Sequence, residues 1–362
     1  MSITRIAVTS ERSTYAVTIG AGLLADVARR PDRYGLDGQR LVITCPPVWR
    51  HQRTRLDALV PEGQRPAILP DGERAKTLDN AARLYQACVA AHLDRSATIV
   101  AAGGGIVGDV GGFVAATYLR GVRLVQVPTT LLSQVDSAVG GKVGVNLPTG
   151  KNLVGAFHPP ALVLCDTDVL TTLPPRQFRA GMFEVVKYGV IASRPLFDRI
   201  GRKLAAILSQ HPSVLPKIVA DCCRIKAHVV TIDERERGPR RALNFGHTIG
   251  HALEALTGYR RFLHGEAIGD GMLAAARLSV MRGTMAPSEE AELRDLLLRL
   301  GRRPRVSDLR ATDALDVIAR DKKVVAGRLH FVLARGLGAV EVVSDVTTGE
   351  LREAMRAIGM RE

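Results

Sequence analysis

Three histidines lie within eighteen residues, in Asn244-Phe245-Gly246-His247-Thr248-Ile249-Gly250-His251 and Leu263-His264-Gly265-Glu266. His247 and His251 are four positions apart, which on a helix puts both on one face, a spacing suited to a metal ion or to joint work on a substrate. Glu184 opens Glu184-Val185-Val186-Lys187-Tyr188-Gly189 and could add a carboxylate, and Lys187 lies one turn further on the same face. Core histidines satisfied by backbone carbonyls would present the same letters. A second constellation, Gly103-Gly104-Gly105-Ile106-Val107-Gly108-Asp109, follows an apolar run and opens a helical pattern. Glycines there let the backbone approach a pyrophosphate, and a helix N-terminus offers free N–H groups and the positive end of the dipole. The acidic residue expected about 20 positions on in a dinucleotide-binding fingerprint is absent, which disfavours a plain Rossmann dehydrogenase while keeping a dinucleotide in view; a tight turn without ligand is the other reading. A third set, Arg120, Asp136, Lys142, Lys151 and Asn152, sits in YLRG, QVDSAVGGK and GKN beside glycines. Solvated surface charge is the ordinary reading of a lysine, but compact ammonium groups next to glycine also suit phosphate and carboxylate oxygens.

These residues need elements to hold them. Residues 5–9 and 14–19 pattern as a strand pair, and 40–44 and 65–69 as further strands. A helical period over 78–92 then leads to a strand at 97–102, a helix at 107–118 and strands at 122–127 and 161–165. Strands alternating with helices imply a mostly parallel sheet, whose ligands bind beyond the carboxyl ends of its strands. Pro174 and Pro175 mark a junction. Helical patterns dominate after it, at 178–191, 196–209, 215–231, 247–256, 266–282, 289–300 and 313–321, with a short strand pair at 329–333 and 339–343. The expectation is a Rossmann-like α/β domain over residues 1–173 that binds nucleotide, a mainly helical domain over 174–362 that binds metal and substrate, and an active site in the cleft between them.

The chain has 362 residues, 46% of them hydrophobic and 24% charged, which excludes disorder as its main state. No apolar run approaches the roughly 20 residues of a membrane helix, and the first residues lack the apolar core of a secretory signal, so a cytoplasmic enzyme without a membrane partner is expected. Five cysteines without CxxC spacing read as reduced structural thiols. The formal charge is +14, but with 4% aromatic residues and no basic run longer than two, nucleic acid is not the expected partner. Of the 50 basic residues only nine are lysines, and Lys142, Lys151 and Lys187 among them stand in the motifs above, which favours a small anionic substrate.

GGGIVGDVGGFVAATYLRG, VPTTLLSQVDSAVGGKVGVN, GKNLVGAFHPP, EVVKYG, LNFGHTIGHALE and LHGEAI together resemble the 3-dehydroquinate synthases of the sugar phosphate cyclase superfamily, over a stretch from about Asp71 to Lys323. The resemblance implies conversion of the sugar phosphate 3-deoxy-D-arabino-heptulosonate 7-phosphate to 3-dehydroquinate and phosphate. This is a phosphate-eliminating carbon–oxygen lyase reaction, the second step of the shikimate pathway to aromatic amino acids, with NAD, zinc or cobalt, and a homodimer. By the same resemblance Glu184, His247 and His264 are metal ligands, with His251 on the substrate side. Asp71, Glu73, Lys76, Gly104, Gly105, Ile106, Val107, Gly108, Asp109, Thr129, Thr130 and Thr172, with Lys142 and Lys151, are implied nucleotide contacts. Arg120, Asp136, Lys142, Lys151, Asn152, Lys187, Lys226, Arg240, Asn244 and one of Lys322 or Lys323 are implied to bind or act on the substrate. Two positions depart from the family pattern: Phe183 stands where a smaller residue is expected before Glu184, and Pro239 interrupts a Gly-Leu-Arg string before Asn244. A metal-dependent polyol dehydrogenase and a sister cyclase making a valiolone or inosose are the rival enzyme readings. The intact QVDSAVGGK and GKN strings favour the dehydroquinate reading over the latter.

Overall fold

The computed structural model describes residues 3–11, 13–319, 324–325 and 328–362. In chain order the elements that matter here are β1 (Thr4–Thr9), β2 (Thr14–Gly20), α1 (Leu23–Arg29), β3 (Arg40–Thr44), α2 (Pro46–Leu56), β4 (Ala67–Ile68), α3 (Leu78–Ala90), β5 (Thr98–Gly103), α4 (Gly105–Thr117), β6 (Arg123–Pro128), β7 (Lys142–Leu147), β8 (Gly150–Phe157), β9 (Leu162–Asp166), α5 (Pro175–Ala192), α6 (Arg194–Leu208), α7 (Leu215–Ile232), α8 (His247–Leu256) and α9 (His264–Met281). The chain divides into two compact units, Met1–Pro174 with Gln210–Glu234, and Pro175–Ser209 with Arg235–Glu362.

In the first unit the described strands form a seven-stranded sheet in the order β1-β2-β9-β6-β5-β3-β4. All neighbours run parallel except the β1–β2 hairpin. The central strands β5, β6 and β9 are buried at every position but Arg123, as expected where helices cover both faces. Ile43, Ile99, Ala101 and Leu124 pack with Val110 and Val114 of α4 and Leu84 of α3 in one buried cluster. Because β5 and β6 are adjacent and parallel, their carboxyl ends bring Gly103 beside Pro128, and the Thr129 N–H donates to the Gly103 carbonyl at 2.9 Å. The segment between β6 and β9, to which the sequence pattern assigns no element, contains a β7–β8 hairpin. Gly144 and Gly155 face each other across it, and a Cβ on Gly155 would lie 2.3 Å from the Val143 carbonyl oxygen. Glycine there allows a close backbone approach that strand propensities do not anticipate.

The expected division at residue 174 needs one correction, because residues 210–234 pack with the first unit. The reason lies in α7. Its buried side chains Ile218, Val219, Cys222, Lys226 and Val230 recur at helical spacing, and this stripe covers β1 and β2. The Glu11 N–H donates to Glu234 just beyond the helix, at 2.9 Å. Lys226 therefore belongs to the first unit and not, as expected, to the second.

In the second unit α9 packs against both α8 and α5. The start of α9 is fixed by Glu266, which accepts the Leu263 N–H at 2.8 Å and both arms of the Arg176 guanidinium at 2.7 and 2.8 Å. Phe331–Ala334 and Val340–Val343 form an antiparallel pair. All five cysteines are buried, and no described helix is long and apolar enough to cross a membrane.

Where α9 meets α5, a Cβ on Gly265 would lie 1.8 Å from the Ala180 carbonyl oxygen, whereas one on Gly201 in α6 would meet nothing within 4 Å. Gly265→Ala is expected to destabilise the protein by about 1–3 kcal/mol or more through forced helix displacement. Gly201→Ala is expected to stabilise it by about 0.5–1 kcal/mol. Denaturant unfolding midpoints that moved together would contradict this account.

Candidate active site

The second unit gathers the metal-site candidates. Glu184 and Lys187, one turn apart on α5, are 0% and 1% exposed. The Lys187 ammonium lies in a close ion pair with Glu184 Oε2. Glu184 Oε1 faces two imidazoles instead, with His247 Nε2 at 3.6 Å and His264 Nε2 at 3.7 Å, and accepts no hydrogen bond. The other nitrogen of each ring is engaged. His247 Nδ1 lies 3.2 Å from the Phe245 carbonyl, and His264 Nδ1 lies 3.2 Å from Glu254 Oε2. Carbonyls and carboxylates only accept, so each Nδ1 carries the hydrogen, and in the neutral ring that metal binding requires each Nε2 presents its lone pair. Three acceptor atoms thus converge on one point, an arrangement that a cation resolves. An ion about 2.0–2.2 Å from each donor sets tetrahedral donor–donor edges of about 3.3–3.6 Å, close to the two distances seen. His251 joins the group: one ring nitrogen from each of His247, His251 and His264 lies within 4.8 Å of the other two. Both His247 and His264 begin helices, α8 and α9, whose first turns fix their directions.

Asn244 and Arg240 lie in the 3-10 turn Pro239–Asn244 that leads to α8. Asn244 donates to Glu236, and Arg240 is buried.

The first unit gathers the anion-site candidates. Lys76, 4% exposed, donates to both Asp109 of α4 and the Asn152 side chain. Asn152 has a left-handed backbone, φ +54°, and its N–H donates to Asn146 Oδ1 at 2.9 Å; Asn146 in turn donates to Glu73 at 2.8 Å. Lys151 Nζ stands 3.6 Å from the same Glu73 oxygen. Five residues singled out in the sequence, Glu73, Lys76, Asp109, Lys151 and Asn152, are therefore one network, and Asn146 bridges it. Burial pushes the Asp109 carboxyl above its usual range, against the pull of the Lys76 ammonium. Gly104, Gly105, Ile106, Val107 and Gly108 form the N-terminal turns of α4, which no side chain caps. A Cβ on Gly104 would lie 3.2 Å from Thr130. Thr129 is buried at the end of β6. Asp136 is carried on a π-helical turn, Ser133–Ser137, and Lys226 donates to both its side chain and its carbonyl at 2.5 Å. Helical turns of this kind are rare and frequently mark functional sites.

The first unit holds the remaining candidates as well. Thr172 accepts from Gln52 of α2 at 2.5 Å. Asp71 and Lys142 are exposed, as is Arg120, whose backbone has φ +70°. Lys322 and Lys323 fall outside the described residues. Sequence reasoning passed over Asn146, Glu236 and Glu254. For Glu254 a signal existed: with His247 and His251 it completes i, i+4, i+7 spacing on one helix face.

Known proteins resemble this chain in sequence and in fold. A family model described as 3-dehydroquinate synthase N-terminal matches residues 66–180, and one described as 3-dehydroquinate synthase C-terminal matches residues 181–324. A 3-dehydroquinate synthase from Symbiobacterium thermophilum is 44% identical over 359 residues, 95% of this chain and 98% of the relative. Among solved structures, 2-epi-5-epi-valiolone synthase from Streptomyces hygroscopicus subsp. jinggangensis, with NAD+ and Zn2+ bound, is 28% identical with a TM-score of 0.85, over 98% of this chain and 99% of that one. A 2-deoxy-scyllo-inosose synthase complexed with carbaglucose-6-phosphate, NAD+ and Co2+ is 28% identical with a TM-score of 0.86, over 98% and 100%. Two matching domain models, a full-length relative at 44% identity and the acceptor cluster in the second unit agree: the chain belongs to the 3-dehydroquinate synthase family.

Proposed function

We propose that the protein is a carbon–oxygen lyase that converts 3-deoxy-D-arabino-heptulosonate 7-phosphate to 3-dehydroquinate and phosphate, with catalytic NAD and a divalent zinc or cobalt ion. The observation that carries this reading is the convergence of Glu184 Oε1, His247 Nε2 and His264 Nε2 in a chain whose full-length relatives at 41–45% identity are named 3-dehydroquinate synthases. The conversion joins oxidation of a secondary alcohol to a ketone, loss of the proton this acidifies on the neighbouring carbon together with phosphate from the carbon beyond it, return of hydride and a ring-closing aldol step. When bound, NAD accepts and returns the hydride, and the divalent ion supplies Lewis acidity at the oxygen being oxidised.

The chain's own residues divide the remaining work. Glu184, His247 and His264 hold the ion, and three protein donors leave positions open for substrate hydroxyls. The Lys187 ammonium fixes the Glu184 carboxylate so that only Oε1 is directed at the imidazoles. The uncapped start of α4, with Gly104, Gly105, Ile106, Val107 and Gly108, receives the pyrophosphate of the nucleotide. Asp71, Thr129, Thr130 and Thr172 add nucleotide contacts. Lys142, Lys151, Arg120 and Arg240 hold the substrate carboxylate and the leaving phosphate, and Asn152, Asn244 and His251 orient its hydroxyls. Lys76 and Lys226 keep Asp109, Asn152 and Asp136 in fixed positions, which serves reacting groups that tolerate little misplacement. Phosphate itself can take the proton next to the departing oxygen, so the elimination needs no dedicated side-chain base. A homodimer in the cytoplasm completes the reading, on the strength of the family resemblance.

Purified protein given the heptulosonate phosphate, trace NAD and Zn2+ or Co2+ is expected to release phosphate stoichiometrically without accumulating NADH, with a product of the mass of 3-dehydroquinate. Accumulating NADH would indicate a polyol dehydrogenase, and a different product mass a sister cyclase. Glu184→Gln and His247→Ala are each expected to abolish metal content and turnover together; full activity of metal-depleted His247→Ala protein would refute the ligand assignment. Lys151→Ala is expected to weaken substrate binding far more than NAD binding, and titrations showing equal losses would remove Lys151 from the anion site.

A further inference from the structure

Glu254 has a role that neither the motif nor the metal triad accounts for. It lies on α8, its side chain is 10% exposed, and among the described residues its carboxylate has one partner, the Nδ1–H of His264 at 3.2 Å. A buried carboxylate with a single hydrogen-bond partner costs desolvation energy that one neutral contact does not recover. Fixing the tautomer of His264 would not require it, since the neutral Phe245 carbonyl does the same for His247. What a carboxylate adds is charge. The Glu184 carboxylate is already balanced by the Lys187 ammonium, and His247 and His264 both stand at the positive ends of helices. Glu254 places a further anion within hydrogen-bond reach of a ligand imidazole.

We propose that Glu254 is the positioning residue of the metal site: it orients His264, raises the basicity of its Nε2 and supplies negative charge that a divalent ion needs. The inference rests on the metal reading of Glu184, His247 and His264.

The test is Co2+ binding to the full chain, read by the visible absorption of the ion and by competition with a chelator. Wild-type protein is expected to bind Co2+ tightly. Glu254→Ala should bind it about 10–100-fold more weakly with a shifted visible spectrum. Glu254→Gln, which keeps the shape and an acceptor oxygen but not the charge, should recover part of the loss and keep a spectrum near that of wild type. If Glu254→Ala does not fold, Glu254→Gln decides alone, by a measurable loss of Co2+ affinity at unchanged thermal stability. Wild-type affinity and spectrum in the folded variants would overturn the proposal and leave the metal site standing, as would lower stability with unchanged affinity. Failure of the wild-type protein to bind Co2+ would overturn the metal reading and this proposal together.

Discussion

The second unit is built around a carboxylate that cannot reach water. Glu184 is fully buried, its Oε2 is held by Lys187 and its Oε1 faces two imidazole lone pairs without accepting a hydrogen bond. Such a group is tolerated only where a cation answers it. For the two histidines to face that oxygen, α8 and α9 must cross closely in front of α5, and the backbone shows the consequence. A Cβ on Gly271 would lie 1.9 Å from the Gly246 carbonyl oxygen, and Gly246 itself has φ +79°, left-handed backbone that delivers the chain into His247. The glycines that frame the histidine motif therefore serve helix contact and ligand direction at once.

The same principle of buried, answered charge organises the first unit. Lys76 and Lys226 are 4% and 5% exposed, and each is paired with a carboxylate, Asp109 or Asp136. With Lys187 and Glu184, three of the nine lysines in the chain are buried ammonium–carboxylate pairs. Lysine suits these positions because its charge is compact and its stem apolar, so one donor group can be aimed at two acceptors. Most of the arginine pairs are of another kind. Arg194 with Glu292 and Arg261 with Asp308 lie on half-exposed surface, where such contacts contribute little to stability. The basic residues thus fall into two populations, and the candidates for the chemistry, Arg120 and Arg240 apart, come from the smaller one.

That division explains how much of the molecule could be read in advance. Alternating apolar runs disclosed the parallel sheet and the helices after Pro175, because a buried strand or an amphipathic helix must show its burial in its letters. The β7–β8 hairpin escaped because Lys, Asn and Gly interrupt its Val, Leu and Phe residues, placed for close backbone approach and hydrogen bonding, not for β propensity. Helix α2 escaped because Pro46 and Pro47 open it and it buries only Gln52 and Leu56. The position of α7 depended on which apolar surface its stripe would cover, which no local pattern states. Within the sites, residue types and glycine contexts disclosed the lysines, Glu184 and the histidines. The residues that hold them, Asn146 and Glu254, are ordinary polar letters whose meaning comes only from what they touch.

The two departures from the family pattern show how local such constraints are. Phe183 precedes Glu184, but consecutive helical residues point about 100° apart, so its ring occupies a different face of α5 from the ligand. There Gly269 makes room, since a Cβ on it would lie 2.6 Å from the ring, and Arg303 stacks over the ring at 5.7 Å while donating to Asp270 at 2.7 Å. A larger side chain has thus been accommodated by a missing one opposite and by a cation on its face, about 100° around α5 from Glu184. Pro239 likewise falls where its lost N–H matters least, at the first position of the turn Pro239–Asn244, and Arg240 after it is buried. Substitutions beside a ligand are compatible with its geometry when the helix turns them away from it, and beside a binding turn when they coincide with its unsatisfied donor.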